Sequence, residues 1–341
     1  MRREQDARRH RQERYQEEQP EPPLPSTAPS DSLIGWHAID NLTVLDCAVN
    51  PSQMLFDVPH ACIAGYAHAQ VDVLSRIEDA ASSGTEEELA RALKWFLALD
   101  AIILRTPTRG GSRGNAADIV SQRLRLWRAE DMPPLVQKWR RDTSLAWDRR
   151  RLLAERTPTA PSESLRVTRA LQLIADGELS RAQAMLLSEG IHDCMDPAVL
   201  EQLRSRQPRR TTSMPTTPPT NHEVIATQIS LRGVYRDLRR RRGAGVTGGR
   251  NEYLKALAIS HNDPRADRAI AEHERFALRA YAGHLPAWFL LIWSTCNLTP
   301  LKRKPKPGRT AAETPPQPIA VGEPTQRTFA AALTKASTET Y

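Results

Sequence analysis

The sequence predicts a mainly α-helical protein, and three observations support this fold class. The strong helix formers Ala, Leu, Arg and Glu dominate the composition. Runs of β-branched residues are scarce, and apolar residues recur at helical spacing along much of the chain. Hydrophobic residues make up 40% of the 341 residues, which is enough for a core, but only 5% are aromatic and 26 are prolines. We therefore expect part of the chain to lie outside any packed core.

The N-terminal part of the chain is predicted to be a disordered tail followed by an all-α domain. Residues 1–30 combine mixed charges with a proline cluster, and they have too little apolar surface to offset the entropy cost of folding. In the all-α domain, residues 31–206, the clearest helix runs from Thr85 to Leu104. It begins with a capping box of Thr85 and Glu88, ahead of regularly spaced apolar residues.

Further helices of this domain are predicted from the residues that start them. Asn115 and Asp131 each precede a stretch with helical spacing, the second with two prolines in its first turn. Two short helices are expected over residues 162–175 and 179–188. One more is expected to begin at Asp196-Pro197 and to reach about Ser205.

A linker is predicted over residues 207–221, because Pro, Thr and Arg occur there without periodicity. The segment after it, residues 222–341, is expected to begin with a helix over 222–242 that ends in four arginines. A glycine-rich loop, Gly243–Arg250, follows these arginines. Two further helices are then predicted over Asn251–Ile259 and Arg265–Tyr281. They are followed by the apolar segment Pro286–Cys296, in which Ala287–Trp293 is predicted to be a buried helix.

The charge balance indicates an acidic partner. Lys and Arg number 48 against 40 Asp and Glu, for a net charge of +8, and most of the excess is Arg. The planar guanidinium group suits phosphate recognition, so RNA or DNA is the natural partner through phosphate contacts. An arginine-rich composition that merely reflects a GC-rich genome explains the same numbers equally well.

Two basic runs are the candidate nucleic-acid contacts. Acidic residues interleave with the basic ones over residues 105–156, which favours a solvated helix face there. Acidic residues are rare around Arg239–Arg242 and absent from 302–309, which favours phosphate contact, or alternatively a nuclear-import tag, for these two runs. Neither run contains an aromatic residue for base stacking, so binding should be independent of sequence and fall with salt. The candidate site residues are Arg239, Arg240, Arg241, Arg242, Arg250, Lys302, Arg303, Lys304 and Lys306.

No catalytic residue, metal site, cofactor or small-molecule substrate is predicted. The loop Gly243–Arg250 lacks the Gly-Lys-Ser/Thr ending of a phosphate loop, and the four cysteines contain no CxxC pair. The charged N-terminus does not resemble a secretory signal. The most apolar stretch, Ala287–Trp293, is far shorter than the roughly 20 residues that cross a bilayer. We therefore expect an intracellular protein with no membrane partner.

Four passages, in this order, resemble the region upstream of the polymerase palm in protist and algal non-LTR retrotransposon reverse transcriptases. They begin with an apolar helix end and an Arg-Gly-Gly turn, continue through a helix pair and a glycine-rich turn, and end in a Pro-Ile-Ala-Val-Gly-Glu strand. The passages are Leu104–Gly111 with Arg123–Trp127, then Arg169–Ala182, then Gly243–Leu254, and finally Pro318–Glu323. Gln317 stands where the family normally has an arginine.

This resemblance implies that residues 222–341 are a helical lead-in to an incomplete reverse-transcriptase fingers region. Nucleotidyl transfer needs metal-held carboxylates, which the family carries in its palm. We accordingly expect a truncated or decayed reverse-transcriptase-like protein that binds nucleic acid and has no catalytic activity of its own. We also expect the chain over 300–341 not to fold, because a lone strand has no sheet partner.

Two alternatives remain at this stage. The helix pair of Arg169–Gly190 also resembles a tetratricopeptide-like hairpin, which would make the chain a helical-repeat scaffold for protein interaction. Such repeats need about three copies to bury a continuous core, and the sequence shows one. The other alternative is an open reading frame without a selected function.

Overall fold

The structure, a computed structural model, describes residues 35–106, 115–154, 163–175, 178–186, 192, 196–205, 229–260, 263–302 and 317–339. These residues are mainly helical, which confirms the predicted fold class. The helices before the predicted linker are α1 (Val44–Ala48), α2 (Ile63–Ser83), α3 (Glu86–Leu104), α4 (Ala116–Arg128), α5 (Met132–Ala154), α6 (Glu163–Ala175), α7 (Leu179–Leu186) and α8 (Pro197–Ser205). After it come α9 (Leu231–Arg236), α10 (Asn251–Ile259), α11 (Pro264–Tyr281), α12 (Ala287–Trp293), strands β1 (Cys296–Leu301) and β2 (Gln317–Gly322), and α13 (Pro324–Glu339). Short 3-10 turns span Gly35–Ile39 and His60–Cys62.

The predicted helix starts are confirmed where the structure describes them. Thr85 caps α3, accepting a hydrogen bond from the backbone N–H of Glu88, whose carboxylate in turn accepts from the N–H of Thr85. The side chain of Asn115 accepts from Ala117 at the start of α4, and that of Asp196 accepts from Ala198 at the start of α8. Each cap satisfies a backbone donor that a helix N-terminus otherwise leaves without a partner.

Three tryptophans organise the core of the first segment. The rings of Trp36, Trp95 and Trp127 meet edge to face, with centroids 5.3–5.4 Å apart. The indole N–H of Trp95 donates to the carbonyl of Trp36, and that of Trp127 donates to Asp72. Helices α2 and α3 pack side by side around this cluster, with their apolar faces inward.

A second aromatic cluster joins the two sides of the predicted linker. Phe96 of α3 lies 4.7 Å from Phe276 of α11 between ring centroids, and both contact Phe289 and Trp293. Phe329 of α13 completes the group. One hydrophobic core therefore includes residues from both predicted segments. The linker itself lies outside the described residues, so its boundaries stay predictions.

The C-terminal strand and helix correct the expectation that the chain over 300–341 would not fold. Strand β2 pairs antiparallel with β1, a strand that the sequence did not predict. Helix α13 then buries Phe329 and Ala332 in the main core. The missing sheet partner is supplied by residues directly after α12, and packing of α13 holds the hairpin in place.

The arginine run is not helical, which corrects the predicted helix over 222–242. Within the described residues, α9 ends at Arg236, Arg240 and Arg241 form a turn, and Arg239 and Arg242 on either side of it are irregular. Arg241 has a φ of 55°, a left-handed conformation that no regular right-handed helix contains. No helix among the described residues is long and apolar enough to cross a membrane.

Candidate nucleic-acid interface

The arginine run is held in its turn by the first residues of α10. The side-chain amide of Asn251 donates to the carbonyl oxygen of Arg239 at 2.8 Å, and Lys255 donates to that of Leu238 at 3.1 Å. The carboxylate of Glu252 accepts the backbone N–H of Arg241. These bonds fix the backbone of the turn, so the positions of its four arginines are set by the fold.

Three guanidinium groups of this region lie against one aromatic ring. Arg240, Arg241 and Arg250 place their Cζ atoms 5.7, 4.8 and 5.5 Å from the ring centroid of Phe56. Each is within the range of a cation–π contact. Phe56 comes from a much earlier segment of the chain, so it supplies an aromatic residue that the sequence of the run lacks.

The glycine-rich loop that carries Arg250 is anchored by Glu323, the residue that follows β2. The Glu323 carboxylate accepts the backbone N–H of Thr247 at 2.8 Å and its hydroxyl at 2.9 Å. A Cβ atom on Gly245 would overlap this carboxylate, and one on Gly243 would lie 3.0 Å from Val321. Glycine is thus required at 245, and the third and fourth passages of the resemblance pack directly on each other.

Positive charge exceeds negative charge at this surface. Arg327 of α13 joins the group through a 3.4 Å bond from its Nη2 to Asn251, and burial together with nearby Arg242 lowers its pKa. We call Arg239–Arg242, Arg250 and Arg327, together with Phe56, the arginine surface. Its acidic neighbours are Asp57, which accepts two bonds from Arg240 at 2.7–2.8 Å, Glu252, and Glu323, which interacts electrostatically with Arg327.

Two donors of the arginine surface are buried without an acceptor. The Nε atoms of Arg250 and Arg327 are both shielded from solvent and make no hydrogen bond. A buried donor without a partner costs about 1–3 kcal/mol, and a charged one costs more. Because both atoms are shielded from solvent, an external oxyanion reaches them only if the side chains move, so phosphate contact falls to the exposed guanidinium groups of the arginine surface.

The structure brings five of the nine predicted site residues together. Arg239–Arg242 and Arg250 lie within the arginine surface. Lys302 is exposed directly after β1. In the strand pairing Val321 lies opposite Asn297, and Leu301 lies four residues, roughly 14 Å, further along β1 than Asn297. Lys302 is therefore not part of the arginine surface. The remaining candidates, Arg303, Lys304 and Lys306, lie outside the described residues.

The site residues that the sequence did not indicate are Phe56 and Arg327. No local pattern identifies Phe56, because its role depends on contacts with arginines that are distant in the chain. Only the spacing from Glu323 indicates Arg327 in the sequence, and weakly, because Arg327 follows Glu323 by four residues, or about one helical turn.

Two arginines of the 105–156 region correct the expectation of a solvated helix face. Arg105 is buried and donates to Asp142 at 2.7 Å, and Arg123 donates to the carbonyl oxygens of Ile103 and Arg105 at 2.8 and 2.7 Å. Burial lowers the pKa of Arg123 to about 9. These two side chains hold the end of α3 and are structural.

Comparison of the chain with protein-family models, with curated proteins and with solved structures finds no match.

Proposed function

We propose that the arginine surface binds the phosphate backbone of RNA or DNA without reading its sequence. The observation that carries this proposal is the convergence of three guanidinium groups on Phe56 in a turn where Arg239, Arg240 and Arg242 are exposed. Phosphate oxygens are the acceptors that suit such donors, because charge-assisted bonds to guanidinium are roughly twice as strong as neutral ones.

The arrangement favours backbone contact over base recognition. Guanidinium groups already lie against the Phe56 ring, so its π-surface is engaged by charge. The bases would then need other stacking platforms, and sequence-independent binding that depends on counterion release follows. The three acidic neighbours, Asp57, Glu252 and Glu323, offset only part of the charge of the six arginines.

We further propose that the chain is related to the non-LTR reverse transcriptases that it resembles and contributes binding rather than catalysis. The packing of the glycine-rich turn on the Pro-Ile-Ala-Val-Gly-Glu segment supports this relation, because two passages that are distant in the sequence stabilise one another. A primer-extension assay on the purified protein tests the catalytic half. Synthesis of DNA or RNA would contradict it.

The test of binding is a fluorescence-polarisation titration of the full chain with labelled RNA and DNA duplexes of scrambled sequence at low and moderate salt. The decisive variant is Arg242→Gln combined with Arg250→Gln. Each lost phosphate contact should lower the salt slope by about one and weaken binding roughly tenfold. The matched control is Arg149→Gln combined with Arg236→Gln, which removes two exposed arginines outside the arginine surface.

Both nucleic acids should bind the wild-type chain with similar affinity across sequences, and the control should retain that affinity. Equal losses in the variant and the control would mean that only net charge matters and would refute the assignment to the arginine surface. Absence of binding by the wild-type chain at low salt would refute the proposal altogether.

A protein-interaction scaffold is a second candidate, and the pair α6–α7 favours it. These helices enclose a small cluster of Ala170, Leu173 and Ala182 that is separate from the main core. Their outer faces expose large apolar side chains. The exposed residues are Leu165, Val167, Leu171, Ile174, Leu179 and Leu186. A Leu171→Ser, Leu179→Ser variant should leave nucleic-acid binding unchanged and abolish any partner binding, which separates the two functions.

A further inference from the structure

The side chain of Glu323 holds the glycine-rich loop from the inside of the protein. Glu323 is only 4% exposed, and its carboxylate accepts the backbone N–H and the hydroxyl of Thr247 at 2.8 and 2.9 Å. The loop backbone comes so close to this group that a Cβ atom on Gly245 would overlap both carboxylate oxygens. A single buried carboxylate therefore fixes the conformation of a loop that ends at Arg250.

A second carboxylate, that of Asp100 on α3, faces the same loop. A Cβ atom on Gly249 would lie 3.2 Å from Asp100 Oδ2 and 3.3 Å from Glu323 Oε2, so one oxygen of each group lies against the backbone of Gly249. Both residues line a cavity of about 30 Å³, which has room for only about two water molecules. Two acidic groups are thus close together with little solvent to screen them.

The polar side chains around the pair come from α2 and α10. Tyr66 and Gln70 of α2 donate to Asp100 Oδ1 at 2.6 and 3.4 Å. The ring of Tyr253 on α10 lies 6.3 Å from that of Tyr66, and its hydroxyl donates to a backbone carbonyl rather than to either carboxylate. These neutral groups orient Asp100 and supply no counter-charge.

Two arginines are near the pair, but neither forms an ion pair with it. Arg250, just before α10, lines the cavity, and its guanidinium carbon lies over the Phe56 ring. Arg327 of α13 interacts electrostatically with Glu323, while its Nη2 atom donates to Asn251. Among the described residues, no Lys or Arg side chain bonds to Glu323 or to its neighbour on α3.

This environment favours the neutral form of Glu323. Burial, with a smaller contribution from the charge of Asp100, raises the pKa of Glu323 to about 7, although hydrogen bonds from Thr247 lower it. Burial also raises the pKa of Asp100 to about 6. A protonated Glu323 keeps both contacts with Thr247, because one oxygen still accepts the N–H, and a hydroxyl accepts as well as donates. Ionisation of both groups instead places two negative charges beside Gly249.

We propose that Glu323 and Asp100 form a pH-sensitive switch, which keeps the glycine-rich loop closed while Glu323 is protonated and loosens the loop when both carboxylates are ionised. An open loop exposes Glu323 to water, where its pKa returns toward the ordinary value of 4.5. The closed loop therefore binds this proton more tightly than the open loop. Its stability falls as the pH rises from about 4.5 to about 7 and changes little above that range.

The switch would make the arginine surface sensitive to pH. The loop presents Arg250, so loosening it removes the fixed position of that guanidinium group. Ionised Glu323 also adds negative charge beside Arg327. Both effects weaken phosphate contact as the pH rises, although the exposed arginines keep their own charge. This consequence rests on the proposed function, whereas the response of the loop itself does not.

The test is amide hydrogen exchange of the full chain without nucleic acid, read by mass spectrometry on a peptide that contains residues 243–250. After correction for the intrinsic exchange rate, opening of the wild-type loop should become about tenfold more frequent between pH 6 and pH 8. Glu323→Gln keeps an acceptor for the N–H of Thr247 and cannot ionise, so its opening should not change. Glu87→Gln, at an exposed position of α3, is the matched control and should behave like the wild-type chain.

A second measurement keeps the proposal testable if Glu323→Gln does not fold. In carbon-13 NMR of a chain labelled at its glutamate carboxyl carbons, one glutamate should titrate near pH 7. Its midpoint should move to lower pH in Asp100→Asn, because the neighbouring charge is removed. An equal response of the loop to pH in the wild-type chain and in Glu323→Gln would overturn the proposal, as would the absence of any glutamate that titrates above pH 6.

The effect on nucleic acid is measured separately, by fluorescence polarisation with the same labelled duplex at pH 6 and pH 8. Binding by the wild-type chain should be weaker at pH 8, and binding by Glu323→Gln should be the same at both values. A loop that responds to pH while the affinity of the wild-type chain stays constant would refute the coupling to the arginine surface and leave the switch in place.

Discussion

His273 is a buried histidine without a hydrogen bond, and it should make stability sensitive to acid. Its ring lies between those of Tyr235 and Phe329, at centroid distances of 5.8 and 6.1 Å, and neither ring nitrogen has a partner. Burial lowers its pKa from 6.5 to about 3. The unfolded chain therefore binds a proton that the folded chain excludes, so this contribution to stability is complete above pH 6.5 and declines as the pH falls toward 3.

Between pH 7.5 and pH 5, the free energy of unfolding should fall by about 2 kcal/mol because of His273, since each pH unit below 6.5 lowers it by about 1.4 kcal/mol. Urea unfolding of the wild-type chain and of His273→Phe at both pH values measures it. Groups other than His273 titrate in both proteins. The contribution of His273 is therefore the difference between the pH dependence of the free energy of unfolding in the wild-type chain and that in His273→Phe. Equal pH dependence in the two proteins would disprove the assignment.

Arg105 and Asp142 form a buried ion pair, and loss of its acidic member should be costly. Both side chains are almost fully buried, and Arg105 Nε donates to Asp142 at 2.7 Å. Asp142→Ala leaves the guanidinium of Arg105 buried without this counter-charge, so the free energy of unfolding should fall by about 3–5 kcal/mol. Asp237→Ala, at a pair that is mostly exposed, should cost less than about 1 kcal/mol. Chemical denaturation of both variants decides between these outcomes.

The buried arginines also show what a sequence withholds at the level of single residues. Arg105 and Arg123 lie in a stretch where acidic and basic residues interleave, which is the pattern of a solvated surface. Their burial depends on Asp142 and on the carbonyl groups at the end of α3, and these partners are fixed only by tertiary packing.

At the scale of the element, helix starts are encoded locally and were predictable. The capping box of Thr85 and Glu88 needs only a short local segment, and the structure contains it as predicted. Removing the Thr85 hydroxyl from α3 should lower the free energy of unfolding by about 1 kcal/mol in Thr85→Ala. Ser83→Ala, in the preceding helix end, is the control and should change stability by less than half of that. Thermal unfolding of both variants measures the difference. Equal shifts of the two midpoints would contradict the prediction.

Elements that depend on distant partners were not predictable in the same way. Strand β1 begins shortly after α12 ends, and its sequence shows no clear alternation of apolar and polar side chains. It becomes a strand because β2, which begins only at Gln317, pairs with it. Similarly, the turn at Arg239–Arg242 is set by hydrogen bonds from α10, whereas the composition of the run alone favours a helix.

At the scale of the whole molecule, the main hydrophobic core of the described residues is built from two predicted segments. Composition identifies 207–221 as a linker, and a linker suggests a domain boundary, but the packing of α3 against α11 depends on contacts between residues far apart in the chain. Periodicity shows which face of each helix is apolar and does not show which helix covers it. The arginine surface has the same origin, because Phe56 and Arg250 meet only through this shared core.

The shared core should make the helices that contribute to it unfold as one cooperative unit. Leu93 of α3 and Leu257 of α10 lie on opposite sides of the predicted linker, and both are fully buried in this core. Leu93→Ala and Leu257→Ala should each lower the free energy of unfolding by about 2–5 kcal/mol. Tryptophan fluorescence reports on seven tryptophans, of which five precede the predicted linker and Trp288 and Trp293 follow it, and far-ultraviolet circular dichroism reports on all helices. Both probes should therefore follow a single transition with the same midpoint in each variant. If Leu257→Ala instead shifted only the circular-dichroism transition, the two segments would be separate folding units, and the arginine surface would assemble from domains that dock after folding.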